Sequence, residues 1–186
     1  MEPFEYIITL ISIIVGLGIT HLFVGISRLI NNTQGVKIYW IHLLWSFYIF
    51  IYLISFWWFE YKFTSLQEWS FQVYLFLILY AVILFFLCVL NMPYHFPEDF
   101  KSYFFSNRKW FFAALVVTNG IDVFDSIMKG GEYVSDLGAG YIIFMVITTI
   151  LMVLGFTSRK VVIQAAVVIF LNLYQLGFLL LNFKTL

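Results

Sequence analysis

The chain has 186 residues, 63% of them hydrophobic and 22% aromatic, with only 11% charged and a formal net charge of zero. A soluble domain of this size cannot hide so much apolar surface, so the composition predicts an all-α membrane protein, and zero net charge gives no reason to expect a nucleic-acid partner. The single cysteine, Cys88, excludes an intramolecular disulfide.

Six runs are long and apolar enough to span a bilayer, at about 4–30, 39–60, 70–92, 108–128, 139–157 and 161–183. They predict one six-helix transmembrane domain over residues 1–186. The start, Met-Glu-Pro-Phe-Glu, lacks the positive region of a signal peptide, so the first run is expected to stay as a transmembrane helix.

The first run has two distinctive faces. Stepped at about 100° per residue, Ile7, Ile11, Ile14, Gly18, His21, Gly25 and Arg28 share one stripe. Glu5, Thr9, Ser12, Gly16, Thr20 and Ser27, all polar or small, share another. Membrane helices turn such residues toward neighbouring helices, so two stripes predict a helix surrounded on all sides, the centre of the bundle. The glycines allow close packing. An ionisable His21 inside a membrane helix is a candidate for a polar site, joined by Arg28, whose place near the helix end also suits snorkelling to the interface.

The second run opens on Tyr39-Trp40 and closes on Phe56-Trp57-Trp58-Phe59, aromatic belts at two interfaces. His42 lies about one turn inside it. The third starts near Trp69 and carries Cys88 close to its inner end, with His95 just beyond. Imidazoles on adjacent helices, or an imidazole with a thiolate, are the ligand types of metal and haem sites, although no HxxxH or CxxC spacing fixes a geometry. The sequence therefore names no cofactor.

Pro93 and Pro97 end the third helix. After them Glu98-Asp99, then Phe100, Tyr103, Phe104 and Phe105, predict a short helix lying on the interface. It would anchor the bundle or offer a docking platform, at 93–107, to a cytoplasmic partner.

In the fourth run Thr118, Asn119, Asp122, Asp125, Ser126 and Lys129 fall on one face. Asp122 lies one to two turns inside the boundary, and Glu5 and Glu60 reach the same level. Carboxylates gathered in low dielectric repel, and such a group suits binding a cation or relaying a proton. The plainer reading is an Asp125–Lys129 pair at i,i+4 with Asp122 capped by Asn119 or a loop. The glycine-rich stretch from Gly130 to Gly140 is expected to be an irregular loop. The fifth and sixth runs, joined by Ser158-Arg159-Lys160, should form a hairpin, and the sixth carries an amide ladder of Gln164, Asn172, Gln175 and Asn182.

Seven of the ten basic residues (Arg28, Lys37, Lys101, Arg108, Lys109, Arg159 and Lys160) fall on one side of this topology. By the positive-inside rule both termini face out of the cytoplasm, in accord with acidic Glu2 and Glu5.

Glu5, the run Gly16-Leu17-Gly18-Ile19-Thr20-His21, Gly25 and Arg28, followed by Tyr39-Trp40-Ile41-His42, Trp45 and Trp57-Trp58, resemble a group of small, uncharacterised bacterial multi-pass inner-membrane proteins. The resemblance is strongest over the first third. It implies a bacterial inner membrane and carries no activity, cofactor or catalytic residue.

No GxSxG, HExxH, P-loop or nucleotide-binding glycine pattern occurs. The expected function is non-enzymatic: a transporter or channel for a small solute or proton, with the first, fourth and sixth helices lining a polar interior. Its site residues would be Glu5, His21, Arg28, His42, Asp122, Asp125, Gln164, Asn172 and Gln175. The alternative is a membrane sensor that holds a ligand, metal or haem and signals to a partner. The bilayer is the expected environment, and the aromatic faces are suited to a homo-oligomer.

Overall fold

In hydrocarbon every backbone amide must be satisfied within its own segment, so long apolar runs become helices. The computed structural model describes residues 3–31, 35–66 and 69–182. Its helices are α1 Pro3–Asn31, α2 Trp40–Phe59, α3 Phe71–Asn91, α4 Phe100–Met128, α5 Gly131–Thr157 and α6 Val161–Asn182, with a short 3₁₀ helix, Glu60–Ser65, after α2. All six are long and apolar enough to cross a membrane. Large apolar side chains such as Trp110, Val162, Leu180 and Leu181 stand exposed on the outside, a surface suited to acyl chains and not to water. The chain is a multi-pass membrane protein.

The expected central place of the first helix is not observed. α2 takes it, touching α1, α3, α4 and α6, whereas among the described residues α1 packs on α3, α2 and the 3₁₀ turn alone. The physical reason lies in both sequences. α2 has no Asp, Glu, Lys or Arg and is apolar all round, so each of its faces gains by burial. Of the two α1 stripes, the first does turn inward: Ile7, Ile11, Gly18 and Gly25 are buried. A Cβ on Gly25 would lie 2.9 Å from Met92 Cγ, so α1 approaches α3 closely there. The second stripe faces outward, with Glu5, Thr9, Gly16, Thr20 and Ser27 exposed. Thr9 donates within its own helix, to Glu5 O at 2.7 Å, while Ser12 donates to Ile8 O at 2.6 Å and also accepts from Trp57 Nε1 of α2 at 2.8 Å.

Two connections differ from expectation in the same direction. The interfacial helix after Pro97 and the fourth span are one continuous helix, α4, since nothing between Phe100 and Arg108 breaks it. Asp99 caps it, accepting from Lys101 N at 3.0 Å. The Gly130–Gly140 stretch is also helical: α5 starts at Gly131, and the glycines give a turn at Gly130 (φ 108°) and a kink at Gly138 (φ 63°). At the opposite end the α1–α2 and α3–α4 connections pair, Lys37 N donating to Glu98 O at 2.8 Å and Phe100 N to Lys37 O at 3.1 Å.

α2, α6, α5 and α4 form a ring in which each touches the next, while α2 and α5 across it make no close backbone contact. Toward the end opposite Lys129, the ring is filled by aromatics. Trp45 meets Phe111 at 5.1 Å and Phe112 at 5.2 Å, both edge-on, and all of these side chains are buried. A polar interior running the length of the bundle is therefore not what the fold contains. Polar groups form separate sets along it, such as Asn119 with Thr148 and Thr149 and the cluster around Lys129.

Candidate functional site

Residues three and four apart share a helix face, so the last turns of α4 present Asp122, Asp125 and Ser126 together, and Lys129 follows one turn on. The end of α2 brings Glu60, α5 brings Tyr141, and α6 brings Gln175. Their side chains line a cavity of about 70 Å³ inside the ring, closed by Tyr52, Phe56, Phe144 and Phe178 among others. It has room for roughly five waters or one small solute.

Asp122 is held by tyrosines. Tyr80, reaching in from α3, donates to its Oδ1 at 3.1 Å, and Tyr141 donates to its Oδ2 at 3.1 Å. With its proton given to Asp122, Tyr80 accepts from Tyr52 at 2.9 Å. Tyr141 likewise accepts from Ser126 at 2.9 Å. Four hydroxyls thus converge, directly or in relay, on one carboxylate.

Lys129 stands beside this set, its side chain 2% exposed. It donates to Glu60 Oε1 at 3.0 Å and to Asp125 Oδ2. The Phe63 and Tyr133 rings flank its ammonium at 5.2 and 5.7 Å. Burial disfavours the charge, and the two carboxylates in contact with it offset that cost.

Three oxygens in the wall remain without a protein partner: Glu60 Oε2, Asp125 Oδ1 and Gln175 Oε1. All are acceptors, on residues that are 1%, 1% and 5% exposed. Buried acceptors are normally satisfied, so the cavity lacks a donor. Three carboxylates face one ammonium, so the wall carries more acceptors than donors.

The sequence-predicted residues divide. Asp122, Asp125 and Gln175 meet at the cavity, as does Glu60. Glu5 is exposed on α1 and is not in its wall. Asn119 does not cap Asp122; its Nδ2 donates across to α5, at 2.7 Å to Thr149 Oγ1 and 3.2 Å to Met145 O. Two rungs of the amide ladder are staples. Gln164 Nε2 donates to Gly155 O at 2.8 Å and Ser158 O at 2.7 Å, closing the α5–α6 hairpin. Asn172 Nδ2 donates to Leu44 O at 3.2 Å, tying α6 to α2. The side chain of Asn182 lies outside the described residues, as do Glu2 and Lys184.

The histidines do not meet. His21 Nε2 donates to Met92 O at 2.6 Å and packs on Tyr94. His42 is buried among Phe100, Tyr103 and Phe104, the first at 5.0 Å. Neither of its ring nitrogens reaches a partner at hydrogen-bonding geometry, though the Asn91 backbone is close. His95 is exposed and shares a surface hollow with Arg28, also exposed. Among the described residues no three His, Cys, Asp or Glu side chains come together as a metal site.

Sequence reasoning missed Tyr52, Tyr80 and Tyr141. Their signal was a hydroxyl placed within apolar runs and away from the aromatic belts, where it must find a partner. It also read Arg108 only as a basic loop charge, yet Arg108 is 3% exposed and its Nε donates to Phe156 O in the last turn of α5, at 3.3 Å. No protein-family model matches this chain, nor does any curated protein or solved structure.

Proposed function

We propose that the cavity between α2, α4, α5 and α6 binds a small cation or a proton within the membrane, and that the protein moves it as a non-enzymatic transporter. The observation that carries this is the set of unpartnered acceptors, Glu60 Oε2, Asp125 Oδ1 and Gln175 Oε1, in the wall of one small cavity. Asp122 would be the exchangeable site. Its tyrosine and serine hydroxyls can reorient as charge arrives, without moving backbone. The basic-residue asymmetry supports a topology with this cavity toward the outside and both termini outside, in a bacterial inner membrane.

Purified protein in liposomes carrying an internal pH dye tests this reading. Wild type should dissipate an imposed cation or proton gradient faster than protein-free vesicles. Asp122→Asn should slow that flux about tenfold or more while unfolding at an unchanged temperature. Wild-type vesicles as tight as empty ones, or an unaltered Asp122→Asn rate, would rule it out.

One observation favours a second reading, a binding module that holds its ligand and signals through the 93–107 segment. The Trp45–Phe111–Phe112 block closes the ring beyond the cavity. Tight vesicles together with saturable quenching of tryptophan fluorescence by a cation would select it.

A further inference from the structure

At the end of the bundle opposite the acidic cavity, α1 and the chain leaving α3 enclose a groove on the outer surface. It consists of two adjoining hollows of about 270 and 510 Å³ that share Arg28, Tyr94 and Phe96. From this geometry we propose that the groove binds one anionic phospholipid, its phosphate on Arg28 and an acyl chain along α1.

The groove is amphiphilic in the right order. Its outer hollow is lined by Arg28, Asn31 and His95, and its inner one by Leu17, Val24 and Phe85. Leu17 and Arg28 are 11 positions apart on one helix, about 16 Å at the helical rise. That equals roughly half of a hydrocarbon core about 30 Å thick, so a chain starting at Arg28 runs beside Leu17 to the bilayer middle.

Its charge selects the headgroup. A guanidinium matches phosphate oxygens with a two-pronged donor set. No Asp or Glu lines either hollow among the described residues, so the fixed charge there comes from Arg28 and favours an anionic headgroup over a zwitterionic one. The wall is also preformed: His21 holds Met92 O at 2.6 Å and stacks edge-on with Tyr94 at 4.9 Å. His21 is thus a positioning residue for the groove. This inference does not depend on the proposed transport.

The test is lipid retention. Detergent-purified protein is incubated with equal amounts of phosphatidylglycerol and phosphatidylcholine, and bound lipid is read by native mass spectrometry. Wild type should retain phosphatidylglycerol at least fivefold over phosphatidylcholine, and Arg28→Gln should bring the two to parity. Val24→Trp, which fills the apolar end, should reduce retention of both and keeps the test valid if Arg28→Gln fails to fold. Equal retention by wild type, an unchanged ratio in Arg28→Gln, or unchanged retention in Val24→Trp would overturn the proposal. So would inorganic phosphate at millimolar concentration binding as well as the lipid, since a free anion would then be the occupant.

Discussion

Lys129 Nζ and Glu60 Oε1 lie 3.0 Å apart although 69 positions separate them in the chain. Their contact joins the end of α4 to the end of α2, and Asp125 joins the same ammonium from one turn earlier. Both partners of the long-range pair are nearly sealed from solvent, at 2% and 1% exposure. Buried ion pairs add little beyond what a well-packed apolar substitute would, but breaking one from a single side is costly.

Lys129→Met should therefore destabilise the protein by about 3–5 kcal/mol, because it strands two buried carboxylates. Adding Glu60→Gln and Asp125→Asn to it should recover most of that loss. Thermal unfolding in a single detergent measures both. A single substitution as stable as wild type would show that the three groups are not coupled as drawn.

Tyr80→Phe removes the donor to Asp122 Oδ1 and the acceptor for Tyr52 in one step. An unsatisfied buried group costs about 1–3 kcal/mol, and the variant should lose that much. Tyr61, exposed on the 3₁₀ turn, is the control, and Tyr61→Phe should change nothing measurable. If transport passes through Asp122, Tyr80→Phe should also alter the pH dependence of flux, read in the same vesicles.

Span positions were legible because hydropathy reports them directly, and α3 and α6 are recovered to within a residue or two. Asp122, Asp125 and Glu60 were legible because a charge inside a membrane helix is costly wherever it sits. Gln175 was legible on its amide face, but Tyr52, Tyr80 and Tyr141 were not, because no local pattern fixes which way their helices turn a tyrosine. The placement of α1 failed for a definite reason. Thr9 looks inward-seeking in sequence, yet it closes a bond to its own helix and is at home against lipid, and Ser12 reaches α2 only through Trp57. In the same way Phe100 and the residues after it read as a separate amphipathic helix, but a helical stretch with no breaker before Arg108 continues into the next span.

Asp99 gives a pH-dependent prediction at the start of α4. The Ser102 hydroxyl, donating at 2.7 Å, holds its carboxyl below the usual aspartate value; partial desolvation opposes this, and the Lys101 amide assists. A carboxyl with a lowered folded value stabilises fully above its ordinary value, about pH 4, and loses that contribution as pH falls through the folded one. Amide exchange in the first turn of α4 should thus be slow at pH 6 and, after correction for intrinsic rates, less protected at pH 3. Asp99→Asn keeps a good cap without a titrating group, so its protection should not change between those two conditions. A wild-type protein with equal protection at both would remove Asp99 as the cap.

Two glycine substitutions separate the observed arrangement from one built around α1. Gly155 is buried in α5, and a Cβ there would run into the Phe112 ring. Phe112 is itself enclosed by Trp45 and cannot withdraw freely, so Gly155→Ala should cost about 1–3 kcal/mol, as overpacked cores do. Gly16 is exposed on α1 with nothing within 4 Å of a Cβ. Gly16→Ala should be neutral or gain up to about 1 kcal/mol from helix propensity. Unfolding of the two variants side by side reads the difference. If Gly16→Ala proved as harmful as Gly155→Ala, the polar face of α1 would be packed against a helix, whether of this chain or of a second copy, and α2 would lose its place as the centre.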